Sequence, residues 1–232
     1  MIKIGVIGAM ELEVEDLKAK MNDVSVFEKA GMKFNEGLLH GTPVVVVRSG
    51  VGKVNAALCV QILADRFQVS HIINTGVAGS LNAGLDIGDI LISSEAIHHD
   101  VDATLFGYQL GEVPQLGRLS FPADETLAAL AKESCERVNT GLKAVIGRVV
   151  SGDQFISDKT VKQKLIDNFH ADCTEMEGAA IAHSAYLNQI PFVIIRAISD
   201  KADDSAEVEY PVFEHAAARH SACLVEDLVQ RI

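Results

Sequence analysis

The sequence predicts an α/β protein with a single domain over 1–232, in which helices cover both faces of a central, mostly parallel or mixed sheet. Short β-branched runs alternate with helical stretches along the whole chain, the pattern that builds layered α/β folds. Several strand-like runs, among them "TPVVVVRSG" and "PFVIIRAIS", are continuously apolar rather than alternating. Strands covered on both faces read that way. No Pro/Ser-rich linker, internal repeat or low-complexity segment divides the 232 residues, a length that suits one sizeable core.

Taken in order, "KIGVIG" (3–8) is a strand and "MELEVEDLKAKM" (10–21) an amphipathic helix. Residues 22–41 carry no assigned element. "TPVVVVRSG" (42–50) is a strand, and "GKVNAALCVQILADRF" (52–67) is a helix with apolar residues at helical spacing. "HIINTG" (71–76) and "DILISSEAI" (89–97) are strands. The stretch 100–124, "DVDATLFGYQLGEVPQLGRLSFPAD", is long and irregular, and such loops in compact α/β domains carry function or interfaces. "DETLAALAKESCERV" (124–138) is a helix, "AVIGRVVSG" (144–152) a strand and "DKTVKQKLIDNF" (158–169) a helix. "TEMEGAAIAH" (174–183) opens a buried helix with two acids at its mouth. The strand 191–199 comes next, then a last helix from about Val212 to the C-terminus.

Composition excludes several function classes. The net charge of −12, with no run of Lys or Arg, repels nucleic acid and anionic lipid. No window approaches the ~20 apolar residues of a membrane span. The first residues hold too short an apolar run for a signal peptide and turn acidic at once. Cys59, Cys135, Cys173 and Cys223 form no CxxC pair, which argues against a zinc ribbon or dithiol site. The expectation is a soluble cytoplasmic protein that binds neither nucleic acid nor membrane.

Ligands of open α/β sheets bind beyond the carboxyl ends of the strands. The segments just past the strands here are rich in glycine, hydroxyl and acid: Met10 to Glu13, Ser49 to Gly52, Thr75 to Ser80 with Gly79, Ser151 to Phe155, and Ser199-Asp200. Glycine at these ends lets a ligand approach the backbone. Phosphate motifs fail: Val54 replaces the hydroxyl that must follow a P-loop lysine, and Asn55 replaces the third glycine of GxGxxG. In "HHDVD" (98–102) the neighbouring histidines point to opposite sides of an extended chain. They fit a polar rim or an interface better than a metal. Glu13, Glu177 and Asp200 each have an ordinary reading as helix-start or loop acids. That reading leaves unexplained why all three fall at strand or helix mouths on one side of the sheet.

Eight segments in order, "IGVIGAMELEVEDL", "SGVGKVNAA", "INTGVAGSL", "GDILIS", "HHDVDATLFGYQLGEVP", "VSGDQFI", "TEMEGAAIAH" and "VIIRAISDKAD", together resemble the bacterial 5′-methylthioadenosine/S-adenosylhomocysteine nucleosidases of the nucleoside phosphorylase superfamily. The resemblance spans essentially the whole chain. It implies a nucleoside phosphorylase-like fold, three-layer α/β/α with a partly barrel-like sheet. It also implies a homodimer that works without metal or cofactor, and hydrolysis of the N-glycosidic bond of adenine nucleosides bearing a 5′-thioether.

Matched motif by motif, Glu13 resembles the base that activates water and Asp200 the acid that protonates adenine N7. Glu177 resembles the ligand of the ribose hydroxyls, with Met176 against the sugar. Phe155 and Ile156 resemble the adenine slot, and Ser199 and Arg196 the supports of Asp200. Met10, Val51, Phe106, Tyr108, Pro114 and Tyr210 resemble the ribose and thioalkyl surroundings, with part of the pocket coming from a partner's 100–124 loop. Gly79 is counted with the binding residues. Glu175 is read as ordering the ribose end or the site water. One departure is Val77, where related chains carry Ser in "NTGSAG".

The residue types suit that chemistry. An acid that protonates a leaving purine must hold its proton, while the base must be ionised, and burial with its neighbours divides the roles. Three rivals differ in a readable way. A phosphorylase would need convergent cations for phosphate, whereas Glu13 sits at the nucleophile position. A hydrolase of AMP or futalosine would differ at the 5′ substituent. A non-catalytic nucleoside-binding protein has no need of Glu13 with Asp200.

Overall fold

The computed structural model describes residues 2–232. Its strands join into one mixed sheet. Six of them are the predicted runs: β1 (Ile4–Gly8), β4 (Thr42–Arg48), β5 (His71–Ser80), β6 (Ile90–His98), β8 (Ala144–Ser151) and β10 (Phe192–Asp200). β1 lies parallel between β4 and β5, and β5 is parallel to β10. β10 is antiparallel to β6, and β6 runs parallel to β8. A short strand β9 (Cys173–Glu175) pairs with β8 on one side and β5 on the other. The order β5-β10-β6-β8-β9 therefore closes on itself, a small barrel with an open wing that continues through β1 and β4. Closure removes exposed edges from that half of the sheet. β10 is buried at all nine positions, as its continuous apolar run requires.

The helices form two layers. α2 (Lys53–Ile62) and α5 (Gly178–Leu187) pack on one face, where Ala56, Cys59, Val60 and the α5 alanines join Ile7, Val45 and Ile194. On the other face α1 (Glu15–Ala19), α3 (Glu125–Val138) and α6 (Ala206–Val229) cover Val44, Val46, Ile73 and Ile195. α4 (Lys159–Phe169) closes a third cluster through Leu165 and Phe169. The starts of α3 and α4 are fixed by their own caps: the Asp124 carboxylate accepts from Leu127 N, and that of Asp158 from Thr160 N and Val161 N.

Several boundaries depart from the sequence reading. The helix predicted over 10–21 is a single 3₁₀ turn (Glu11–Glu13) followed by five residues of α1, and Met21 already begins a strand. Residues 22–41 belong to a hairpin, β2 (Met21–Lys29) and β3 (Met32–Leu39), turned at Ala30-Gly31 with φ of 51° and 75°. Both values match the two-residue turn that suits strand twist. β2 is the outer strand and mostly exposed, so it lacks the apolar alternation that marks a half-buried strand. Phe27 packs on Phe34 and Phe67 and ties the hairpin to the sheet. α6 begins at Ala206, before Pro211, and carries the proline in its second turn. The 100–124 stretch holds a 3₁₀ turn (Thr104–Phe106) and a two-residue strand β7 (Phe121–Pro122) on β6. No helix among the described residues is long and apolar enough to cross a membrane.

Candidate active site

The carboxyl ends of β5, β9 and β10 and the segments just past β1, β4, β8 and β9 converge on a cleft of about 470 Å³. Of the residues singled out in the sequence, Met10, Glu13, Val51, Gly79, Phe155, Glu175, Met176, Glu177, Ser199, Asp200 and Tyr210 line it. Ile156 lines an adjoining lobe of about 240 Å³ that shares Gly79, Phe155, Met176 and Asp200. Val77, the departure from "NTGSAG", lines it too, and Ala9, Ala78 and Thr174 complete the wall; small or neutral, these three give no chemical signal in a sequence. Phe106, Tyr108 and Pro114 are not among the residues lining their own chain's cleft, and Phe106 is 79% exposed.

Glu13 sits on the 3₁₀ turn after β1, 3% exposed. Its Oε2 accepts from Ala9 N at 2.6 Å and Met10 N at 2.9 Å, and its Oε1 from Val77 N at 3.2 Å. Burial pushes its carboxyl above the ordinary range, and the Arg196 charge and those N–H donors oppose the rise. Gly76 is required beside it: a Cβ there would lie 2.6 Å from Glu13 Oε1 and 2.7 Å from an Arg196 nitrogen.

Asp200 ends β10, where the pairing with β5 shifts register between Ile198 and Asp200. Such a bulge re-aims a side chain, and here it inserts Ser199 and turns the Asp200 carboxyl into the cleft. Its Oδ1 accepts from Ala202 N at 2.7 Å and its Oδ2 from Ser199 Oγ at 2.9 Å. Burial raises its pKa above the ordinary value; those two donors oppose the rise, and the charges of Glu209 and Asp203 add to it.

The two acids of "TEMEG" separate. Glu175 lies on β9 and not at a helix mouth, while Glu177 is the N-terminal boundary residue of α5. Burial pushes the Glu175 carboxyl up, but Arg196, Ser151 and the Gly178 N–H outweigh it and hold it below the ordinary value. It is the better solvated of the pair by the protein: Ser151 Oγ and Arg196 donate to it, as do Gly178 N at 2.7 Å and Glu177 N at 3.1 Å. Glu177 is pushed up, by burial and then by the Glu175 charge. Its Oε1 accepts from Gly52 N at 2.8 Å.

Arg196, 1% exposed, is the largest fully buried side chain. It does not support Asp200, contrary to the sequence reading. Its guanidinium bonds Glu175 and, at 2.6 Å, Asn74 Oδ1, and stands 3.9 Å from Glu177. The reason is geometric: residue 196 lies four positions back along an extended strand, some 13 Å from position 200. Of the two residues, Ser199 is the one that bonds Asp200. Asn74 and Ser151 are the members of this network that the sequence did not single out as site residues. Ser151 was visible as a strand-end hydroxyl, but Asn74, inside an apolar strand, gave no signal beyond being polar there.

At the apolar end, the Phe155 ring meets Tyr210 edge-on with centroids 5.5 Å apart, and Tyr210 Oη reaches Met10 Sδ at 3.4 Å. Among the described residues neither Lys nor Arg lines the cleft. Lys53 Nζ is paired with Asp100 at 2.5 Å, and Arg48 lines a separate cleft with Lys18 and Lys33. His98 and His99 are both buried, and His98 faces His183 at 3.4 Å. No group of three or more metal-ligating side chains occurs among the described residues.

A family model described as "Phosphorylase superfamily" matches residues 3–232. Among similar sequences, a 5′-methylthioadenosine/S-adenosylhomocysteine nucleosidase of Psychromonas ingrahamii is 42% identical over the full length of both chains. One of Bacillus cereus is 40% identical, again over the full length of both. Among solved structures, the Colwellia psychrerythraea nucleosidase in complex with adenine has a TM-score of 0.95 at 42% identity, covering 99% of this chain and 95% of that one. The Neisseria meningitidis nucleosidase bound to methylthio-immucillin-A gives 0.96 at 39% over the whole of both chains. A futalosine hydrolase of Helicobacter pylori is similar at 33% identity and a TM-score of 0.93, covering 100% of this chain and 98% of that one.

Proposed function

The chain belongs to the phosphorylase superfamily and, within it, to the 5′-methylthioadenosine/S-adenosylhomocysteine nucleosidases, and we propose on that premise a role for each acid of its cleft. The reaction is hydrolysis of the N-glycosidic bond of 5′-methylthioadenosine and S-adenosylhomocysteine, releasing adenine. Asp200 donates its proton to adenine N7 as the bond breaks. Burial favours the protonated form it needs. Glu13 takes a proton from the attacking water, and the Arg196 charge with the Ala9, Met10 and Val77 N–H donors favours the ionised form a base needs, against the burial that raises its pKa. Glu177 accepts from the ribose hydroxyls, and Met176 packs on the sugar. Phe155 and Ile156 form the adenine slot. Glu175, held ionised by Arg196, places negative charge behind the sugar as it becomes cationic.

The observation that carries this reading is a cleft with four buried carboxyl groups and, among the described residues, no lining Lys or Arg. A phosphorylase must hold a phosphate dianion, and the nearest cations are committed elsewhere: Arg196 to Glu175, Lys53 to Asp100. A 5′-phosphate would likewise meet no cation, whereas Met10, Val51 and Tyr210 suit a thioether. 5′-Deoxyadenosine fits the same lining and is included as a substrate.

The working unit in this reading is a homodimer. Leu105 and Phe106, 90% and 79% exposed, with Tyr108 and Pro114, sit on the loop that would complete the neighbour's thioalkyl end. Four free cysteines support a reducing, cytoplasmic setting, where the reaction would serve methionine salvage and removal of a methyl-cycle by-product. The test is adenine release from methylthioadenosine in phosphate-free buffer. Full activity is expected; a strict need for added phosphate, with a sugar phosphate as product, would overturn the hydrolase reading.

A further inference from the structure

α2 starts without a cap of its own. Its N-terminal boundary residue is Gly52, at φ 96°, which has no side chain to offer the first turn. The missing acceptor comes from far along the chain: Asp153 Oδ1 accepts from Lys53 N at 2.8 Å, the first N–H of the helix. The fit is close, because a Cβ on Gly52 would lie 3.0 Å from that same oxygen. One residue earlier, Gly52 N donates to Glu177 Oε1 at 2.8 Å. Adjacent N–H groups of one turn thus hold two carboxylates, one at the ribose end of the cleft and one on the loop that carries Phe155. Asp153 is itself anchored: its N–H donates to Asp100 Oδ2 at 3.1 Å, and Asp100 Oδ1 pairs with Lys53 Nζ at 2.5 Å.

We propose that Asp153 is a positioning residue, a detached cap of α2 that fixes the Gly50–Gly52 turn so that Gly52 N–H holds Glu177 in its ribose-binding orientation. The inference rests on the role assigned above to Glu177. With Oε1 of Glu177 engaged by Gly52, Oε2, which stands 3.9 Å from the Arg196 guanidinium and outside hydrogen-bond reach of it, is the oxygen assigned to the ribose hydroxyls. Without the cap the turn keeps the bond from Gly50 N to Ala9 O past β1 and the bond from Asn55 Nδ2 of α2 to Val51 O, but the N–H next to Gly52 loses its acceptor and the Gly52 end of the turn is less firmly held. Glu177 then loses a fixed partner, and substrate binding bears the cost of re-ordering it. Asp153 touches no reacting atom in this scheme, so the loss falls on KM more than on kcat.

The test is a double-mutant cycle on kcat/KM for methylthioadenosine with Asp153→Ala and Glu177→Gln, alone and together. Loss of a helix-start acceptor is expected to raise KM about fivefold in Asp153→Ala. Asp153→Asn keeps an oxygen for Lys53 N–H and should recover most of that loss. In the Glu177→Gln background, Asp153→Ala should cost much less than it does alone, because both changes act through one group. Additive losses, or an unchanged KM in Asp153→Ala with the melting temperature lowered, would overturn the proposal and leave Asp153 a stabilising cap alone. A wild-type chain that releases no adenine would instead refute the nucleosidase reading, which keeps the two failures distinct.

Discussion

At the scale of single residues, the site works by giving similar carboxyl groups different surroundings. Asp200 has one hydroxyl and one backbone donor in a buried place, and its proton is favoured. Glu175 has a guanidinium, a hydroxyl and two backbone donors, and its charge is favoured. Asp200→Asn probes that difference. Asn reproduces the protonated acid, since Oδ1 still accepts from Ala202 N and the amide faces Ser199 Oγ. Nucleoside binding measured by calorimetry should persist while adenine release falls by about 10²- to 10⁴-fold. The same change should raise the melting temperature at neutral pH. A group whose folded pKa is raised stabilises the fold below its unfolded pKa and loses that contribution as pH climbs through the folded value. Asn does not titrate, so the gain over wild type should be absent in acid and grow with pH from the ordinary carboxylate range upward. Each kcal/mol corresponds to roughly 2–4 °C in a chain of this size.

At the scale of elements, the acids are placed by strand ends and not by loops, and this is why so much of the site was legible in the sequence. An acid or hydroxyl just past a continuously apolar strand has few places to go but the carboxyl edge of the sheet. Glu13, Ser151, Ser199 and Asp200 could be read that way. The hidden part depends on pairing. That β5 runs on to Ser80, so that Gly76 and Val77 lie within a strand beside Glu13, follows from its neighbours β10 and β9. That Arg196 serves Glu175 follows from the reach of its side chain across the barrel to β9. The β2–β3 hairpin was invisible because its outer strand is wet on both faces. Gly76→Ala tests the placement. With no room for a Cβ between Glu13 and Arg196, overpacking should cost about 1–3 kcal/mol of stability. It should also depress kcat beyond the loss that the thermal shift explains, read by melting curves and initial rates together.

At the scale of the whole molecule, the single chain has its acids assembled in one cleft, and the proposed thioalkyl end is assigned to a neighbour's loop to complete. Phe106 stands on a loop that does not reach its own cleft. If two chains complete each other, inactive variants should rescue one another on mixing. An Asp200→Asn chain supplies a sound loop, and a Phe106→Ala chain supplies a sound acid. Random exchange of equal amounts makes half the dimers mixed, each with one complete site, so about a quarter of wild-type activity should return. No recovery after exchange, checked by mass analysis of the mixed dimer, would show that each chain serves only itself. The cleft wall, lined by acids without lysine or arginine, has one further consequence. In the proposed scheme Glu13 and Glu175 are ionised against the single charge of Arg196, so the pocket at rest holds more negative than positive charge, and the neutral nucleoside does not correct that imbalance. Only the fleeting sugar cation does, so the cleft is closest to electroneutral at the top of the barrier, and the missing counter-charge is supplied by the reaction itself.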